Sequence, residues 1–266
     1  MNQEQRKTAP ATTGARNIAS AALFEQDANK GFQQMTQDDL ALPFLKVLGQ
    51  LSPEVNGRHA KHIQEAAPGM ILNTVTNELY DGTKGIQVIP CYYKREYVEW
   101  KERGESLGAP VAIHSTDSDV VASAKRDHQN KDRLPNGNYL ENTASHFVLV
   151  IGDTDIDTRN ISTALITMKS TQLKTSKKWN TMMLGIKLKG KDGLFTPPTY
   201  SHVYILKTVQ QSNDKGTWFG WDVNKIGPVQ DKAVYDQAKS FSQNISKGNV
   251  KVKHTSDSKK SESTPF

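Results

Sequence analysis

Seven lysines fall between Ile161 and Lys191 with no aspartate or glutamate among them: Lys169, Lys174, Lys177, Lys178, Lys187, Lys189 and Lys191. Cations without acids nearby suit contact with a polyanion, because each phosphate neutralised releases condensed counterions. A solvated basic helix would account for the same run, although mixed charge serves solubility equally well. The apolar residues of the segment sharpen the reading. Trp179, Met182, Met183 and Ile186 recur at i, i+3, i+4 and i+7, which predicts a helix over about Thr171 to Lys187 with Ser170 as its cap. On such a helix Lys174, Lys177 and Lys178 share a face largely separate from the apolar one, so one side can pack while the other presents charge.

A second segment, Ile86 to Arg103, mixes rings and charges on a β-prone run. In an unbulged strand Tyr93, Arg95 and Tyr97 lie on one face, and Val88, Tyr92, Val98 and Trp100 on the other. One face is then core and the other an aromatic and cationic platform. Bases stack on such rings at roughly 1–3 kcal/mol each without needing a particular sequence, and arginine adds a cation–π contact. Tyrosines on strands also pack against neighbouring strands, and Trp100, Trp179, Trp218 and Trp221 read individually as core or rim. The candidate nucleic-acid contacts are therefore Tyr92, Tyr93, Lys94, Arg95, Tyr97, Trp100, Lys169, Lys174, Lys177, Lys178 and Trp179.

Enzymatic chemistry finds little support. Asp153, Asp155 and Asp157 alternate like calcium-loop ligands, but that loop wants glycine at Thr158 and glutamate at Ala164, and a hairpin turn explains them better. His59 and His62 lack a matching second pair of zinc ligands. No phosphate loop, nucleophile elbow or catalytic Cys/His signature is present. The expectation is a binding protein with no catalytic residues, no metal and no cofactor.

The elements that must position these residues read as mainly β, in an α+β arrangement around an OB-like barrel. Short β-prone runs and turn chemistry alternate from Met70 onward, through Asp81-Gly82-Thr83-Lys84-Gly85 and Ile86 to Trp100. His146 to Ile151 and Ile161 to Met168 read as a hairpin about Gly152-Asp153-Thr154-Asp155, and Ser201 to Val209 pairs with Thr217 to Val223 across a polar loop. Residues 104–142 interrupt the pattern as a polar, partly mobile insertion. The expected organisation is a flexible arm over 1–38, a core over 39–225, a short helix within 226–246 and a basic flexible tail over 247–266.

Composition is compatible with this. Of 266 residues 36% are apolar, and 34 Lys and Arg against 28 Asp and Glu give +6; the pI of about 9.2 favours a polyanionic partner. One cysteine, Cys91, excludes an internal disulfide framework and suits a reducing cytoplasm. No run of 18 apolar residues appears, so no membrane is expected. The amino-terminal arm, rich in Ser, Thr and Ala with Arg6, Lys7 and Arg16, imitates a transit peptide only faintly.

Three runs carry a resemblance. Met35-Thr-Gln-Asp-Asp-Leu-Ala-Leu-Pro-Phe-Leu-Lys-Val-Leu-Gly-Gln-Leu-Ser-Pro-Glu-Val-Asn56, Pro68-Gly-Met-Ile-Leu-Asn-Thr-Val-Thr-Asn77 and Val88-Ile-Pro-Cys-Tyr-Tyr-Lys-Arg-Glu-Tyr-Val-Glu-Trp100 resemble single-stranded-DNA-binding proteins of tailed bacteriophages. The similarity extends through Ser170 to Asn180 and covers roughly 32–225. Size and tail are similar to the podovirus type that also activates host RNA polymerase at late promoters. The resemblance implies binding to single-stranded DNA in the cytoplasm of an infected bacterium, serving viral replication, recombination and repair, with phage replication proteins and host RNA polymerase as further partners. It implies a partner-binding tail with Lys259, Lys260 and Phe266, whose final Pro265-Phe266 lacks the usual acidic residues before it. A strand-annealing recombination protein and a DNA-contacting virion or scaffold protein stay open as alternatives.

Overall fold

The structure is a computed structural model and describes residues 21–28, 30–35, 40–102, 109–151, 161–214, 216–250 and 252. The chain divides into two units, 1–40 and 41–266. In the first, Ala21–Gln26 form a short helix, α1; the rest of the expected arm is described only in part, and residues 1–20 lie outside the described residues.

The second unit is mainly β, as its alternating runs require. Its spine is a pair of long antiparallel strands, β4 (Ile86–Trp100) and β8 (Tyr139–Val150), in register from Val88↔Val150 to Trp100↔Tyr139. Each spine strand has two shorter partners along its outer edge. β12 (His202–Asn213) pairs with the start of β4 and β5 (Ala112–Ser115) with its end. β9 (Ser162–Lys169) pairs with β8 from Val150↔Ser162 to Thr143↔Lys169, as the expected hairpin requires. Its expected turn residues, 152–155, lie outside the described residues. β7 (Asp132–Arg133), itself paired with β6 (Lys125–Arg126), takes the start of β8, and β13 (Gly216–Pro228) closes a long hairpin with β12.

A small sheet, β1 (Leu45–Val47), β2 (Ile71–Asn73) and β3 (Leu79–Tyr80), extends this surface. Phe44 bridges in parallel to Leu165, and the Thr208 amide donates to the Gly82 carbonyl at 2.8 Å. The result is a curled half-barrel. At the Thr208 seam a glycine is obligatory. A Cβ on Gly82 would lie 1.9 Å from the Gly69 carbonyl oxygen and 2.1 Å from Thr208 Oγ1, closer than any real contact.

Both faces of the sheet are packed, each by one helix. Inside the curl, Ile86, Val88, Val148, Ile166 and Leu206 meet Trp179 and Met183 of α3 (Leu173–Leu184). On the other face Ile89, Phe147, Leu149 and Leu165 meet α4 (Lys232–Ser246). Helix α4 matches the expected carboxy-terminal helix and starts where Asp231 accepts from the amides of Ala233 and Val234. Its buried residues Val234, Ala238, Phe241 and Ile245 follow the helical repeat, and each of the three larger ones contributes about 1.5–3 kcal/mol by burial.

One irregularity in β4 moves Val88 off the face expected for it. Register slips between Pro90 and Tyr92, where proline offers no ladder N–H and a bulge inserts one residue. Val88 therefore faces α3 while Tyr92 faces the α4 side, packed at an edge on Phe147 with ring centroids 6.3 Å apart. Tyr92 and Val88 do not share a face, contrary to the pattern for an unbulged strand.

The segment 104–142 also differs from the expected insertion. Its described part, 109–138, is laid onto the spine with β5, β6, β7 and a short helix α2 (Asp119–Ala122), and its last residues, 139–142, are the first part of spine strand β8 itself. Charge fixes what apolar packing does not. Arg126 grips Asp132 through two N–H donors at 2.7 and 2.8 Å, Arg133 donates to Asp127 at 2.8 Å and pairs with Glu102, and Lys131 lies over the Tyr139 ring at 4.8 Å. Buried Glu99 on β4 accepts from Asn136 at 3.1 Å and from Asn138, and pairs with His114 Nε2 at 2.7 Å.

Candidate nucleic-acid interface

Helix α3 forms where the apolar spacing predicts. Trp179 is fully buried, stacked on His146 with centroids 4.5 Å apart and edge-on to Tyr204 at 5.8 Å. Beneath the same turn His146 Nε2 and Ser176 Oγ share a hydrogen bond of 2.8 Å. Burial pushes the His146 imidazole down to about 3, so the ring is neutral at ordinary pH. The helix start differs from expectation. Ser170 adopts φ 50° at the head of a 3-10 turn, Ser170–Gln172, and no side chain caps either start. Instead Gln172 reaches across to the β12–β13 hairpin, accepting from the Trp221 amide of β13 at 2.8 Å and donating to Gln211 of β12 at 3.3 Å.

With its apolar side fixed, α3 turns Lys174, Lys177 and Lys178 to solvent. Lys178 reaches Asp222 of β13 at 3.1 Å. Among the described residues no carboxylate lies within ion-pair distance of Lys174 or Lys177. The chain then passes buried Ile186 into a short hairpin, β10 (Leu188–Gly190) and β11 (Gly193–Phe195), which carries Lys187, Lys189 and Lys191 on exposed positions.

The other candidates divide between two sides of the sheet. Past the bulge Tyr93, Arg95 and Tyr97 alternate onto the α3 side, as the sequence indicates. Tyr93 is half-buried against His146 at 5.0 Å, and exposed Arg95 donates to Asn142 Oδ1 at 3.1 Å. Tyr97 is half-buried between the positions of Asn142 and His114. Lys94 and Lys169 project to the opposite side, where each has its own acid: Lys94 pairs with Glu96, and Lys169 with Glu141 at 2.9 Å. Lys169 therefore does not continue the α3 strip. Trp100 and Trp179 are buried, 5% and 0% exposed, because each fills a core position, and neither ring has a face open to a base. Lys259, Lys260 and Phe266 lie outside the described residues, as do Asp153, Asp155 and Asp157.

At the amino-terminal end of α3 lies an open groove of about 260 Å³, lined by Thr171, Asn213, Gly216, Thr217 and Trp218. Trp218 is half-buried and donates through Nε1 to Gln211 Oε1 at 3.0 Å, which fixes its ring on the groove wall. Its neighbours in the aromatic run serve the core: Trp221 is buried, and the Phe219 ring is so close to Gly69 that a Cβ there would lie 2.9 Å from it. The sequence shows Trp218 only as one of several core or rim rings, and the exposed Phe195 of β11 is not among the candidates it yields. The Gly190-Lys-Asp-Gly193 turn is the local signal for that hairpin. Lysines able to neutralise phosphates, next to a groove walled by an indole, can hold a strand by charge and by stacking.

Among the described residues no helix is long and apolar enough to cross a membrane. No curated protein and no solved structure matches the chain. A family model described as Pam3 phage gp34-like protein matches residues 12–251, nearly the whole sequence, and its name gives the chain a bacteriophage origin. The chain thus belongs to the Pam3 phage gp34-like family.

Proposed function

We propose that this phage protein binds single-stranded DNA without strong sequence preference, through the exposed face of α3 and the groove at its amino-terminal end. The supporting observation is the chain of solvent-facing lysines, Lys174, Lys177, Lys187, Lys189 and Lys191, that runs from α3 into the next hairpin without an acid before Asp192. A flexible polyanion gains most from such a row, and single strands give up about 0.7 of a counterion per phosphate neutralised. The groove wall at Trp218 supplies a flat apolar surface beside it. The curled half-barrel is in keeping with an OB-like barrel, an architecture suited to strands laid across a sheet. In this reading the protein works by binding alone, and its place in phage replication, recombination and repair is to cover exposed strands.

Titration of oligo-dT into the protein at several salt concentrations tests the reading. Affinity should fall linearly on a log–log plot, and Lys174→Ala with Lys177→Ala should flatten the slope by about 1.4, two phosphates' worth. An unchanged slope in the double variant would remove α3 from the interface.

A further inference from the structure

The hairpin after α3 carries more than charge. In register Leu188 stands opposite Phe195 and Lys189 opposite Leu194, and the turn closes on Gly193, whose φ of +115° favours glycine. Phe195 rests an edge against Gly190, where a Cβ would lie 3.1 Å from the ring. Its ring is nonetheless 47% exposed, and Leu194 beside it is 74% exposed. From residue 41 onward, among the described residues, Phe195 is the one exposed aromatic; every other Phe, Tyr and Trp is buried or half-buried. By this register Leu188 shares the face of Phe195, Lys187, Lys189 and Leu194 take the reverse face of the ribbon, and Lys191 and Asp192 form the turn. Lys187 donates to Thr196, and among the described residues no carboxylate lies within ion-pair distance of Lys189 or Lys191.

Leu188, 40% exposed, and Phe195 share one open face of the hairpin, and exposed apolar side chains paired in this way mark a surface that something covers. An apolar protein patch would cover Leu188 and Phe195 but leave the lysines without counter-charges. Inorganic phosphate or a bare polyanion would satisfy the lysines and leave the ring in water. A nucleic-acid strand answers both, with phosphates for the ammonium groups and flat bases for the ring. We propose that the β10–β11 hairpin is a second nucleic-acid-binding arm, in which Phe195 stacks on a base of a single strand while Lys191 in the turn, and Lys189 from the reverse face, neutralise phosphates of the strand as it passes round the hairpin. This rests on the single-strand reading above and adds a base contact outside α3 and its groove.

The test compares full-length wild type, Phe195→Ala and Phe195→Trp against oligo-dT and against an abasic strand of equal length. Phe195 is exposed, so both variants should fold, which circular dichroism checks. Loss of one stacked base should weaken oligo-dT binding by about fivefold or more. The abasic strand should be bound equally by all three proteins, and tryptophan should restore oligo-dT affinity. Equal oligo-dT affinity in wild type and Phe195→Ala, or an equal loss on both strands, would overturn the arm while leaving strand binding intact. Wild type that binds neither strand at low salt would overturn the underlying reading as well. Pelleting with phosphatidylglycerol vesicles, or self-association, that Phe195→Ala abolishes without changing oligo-dT affinity would assign the ring to a membrane or to a second copy, against the proposal.

Discussion

The placement of α3 depends on a histidine that must stay neutral, and this gives a quantitative prediction. His146 lies under the helix, bonded to Ser176, stacked on Trp179 and touched by Tyr93; no charged group is among these neighbours. Its imidazole titrates near 3 in the folded protein against 6.5 when free, so below pH 6.5 the unfolded chain binds a proton that the native state refuses. Stability from this group is therefore complete above pH 6.5 and is lost as pH falls from there toward 3. Each unit is worth about 1.4 kcal/mol, so acidification from pH 8 to pH 5 should cost about 2 kcal/mol from His146 alone. The assay is urea unfolding followed by tryptophan fluorescence at pH 8 and pH 5, in wild type and in His146→Gln. The variant is less stable at pH 8 because it disturbs the packing, but it should lose about 2 kcal/mol less than wild type on going to pH 5. His202, also held below its ordinary value by burial and then by Lys225, acts alike in both proteins and cancels. Equal pH dependence in the two proteins would refute the neutral anchor.

Two further perturbations probe the frame around the site. Burial pushes the Glu99 carboxyl up, but hydrogen bonds from Asn138, His114 and Asn136 outweigh it and hold the group below its usual range. Glu99→Ala should therefore destabilise by roughly 2–4 kcal/mol in urea titration, since it strands several donors, and a loss under about 0.5 kcal/mol would contradict the role given to this carboxylate. Gly82→Ala forces a methyl into the Gly69 and Thr208 seam and should lower stability by roughly 1–3 kcal/mol or more, as overpacking does; a thermal melt matching wild type would mean that the seam yields freely.

Periodicity made the regular elements readable. The Trp179, Met183, Ile186 spacing located α3 to within a few residues, and the alternating runs gave β4, the second half of β8 with β9, and the β12–β13 hairpin. What remained hidden is non-local. Asp222 and Glu141, the acids that meet Lys178 and Lys169, stand 44 and 28 residues away from their partners in sequence, so a run without internal acids proved partly compensated in space. The bulge at Pro90 moved Val88 off its expected face, a one-residue event that alternation counts cannot see. The strands of 109–138 are short, polar and held by arginine–carboxylate pairs, so they leave no apolar period. Phe195 escaped because its exposure depends on a hairpin projecting with neither face covered, which local sequence does not encode.

Ultraviolet cross-linking of oligo-dT to the full-length protein, with the attached peptides mapped, tests the central claim most directly. Strand contact through α3, its groove and the following hairpin places the cross-links in peptides spanning 171–195 and 213–218. Cross-links confined to the Lys94 and Lys169 side of the sheet, or absent at low salt, would contradict it.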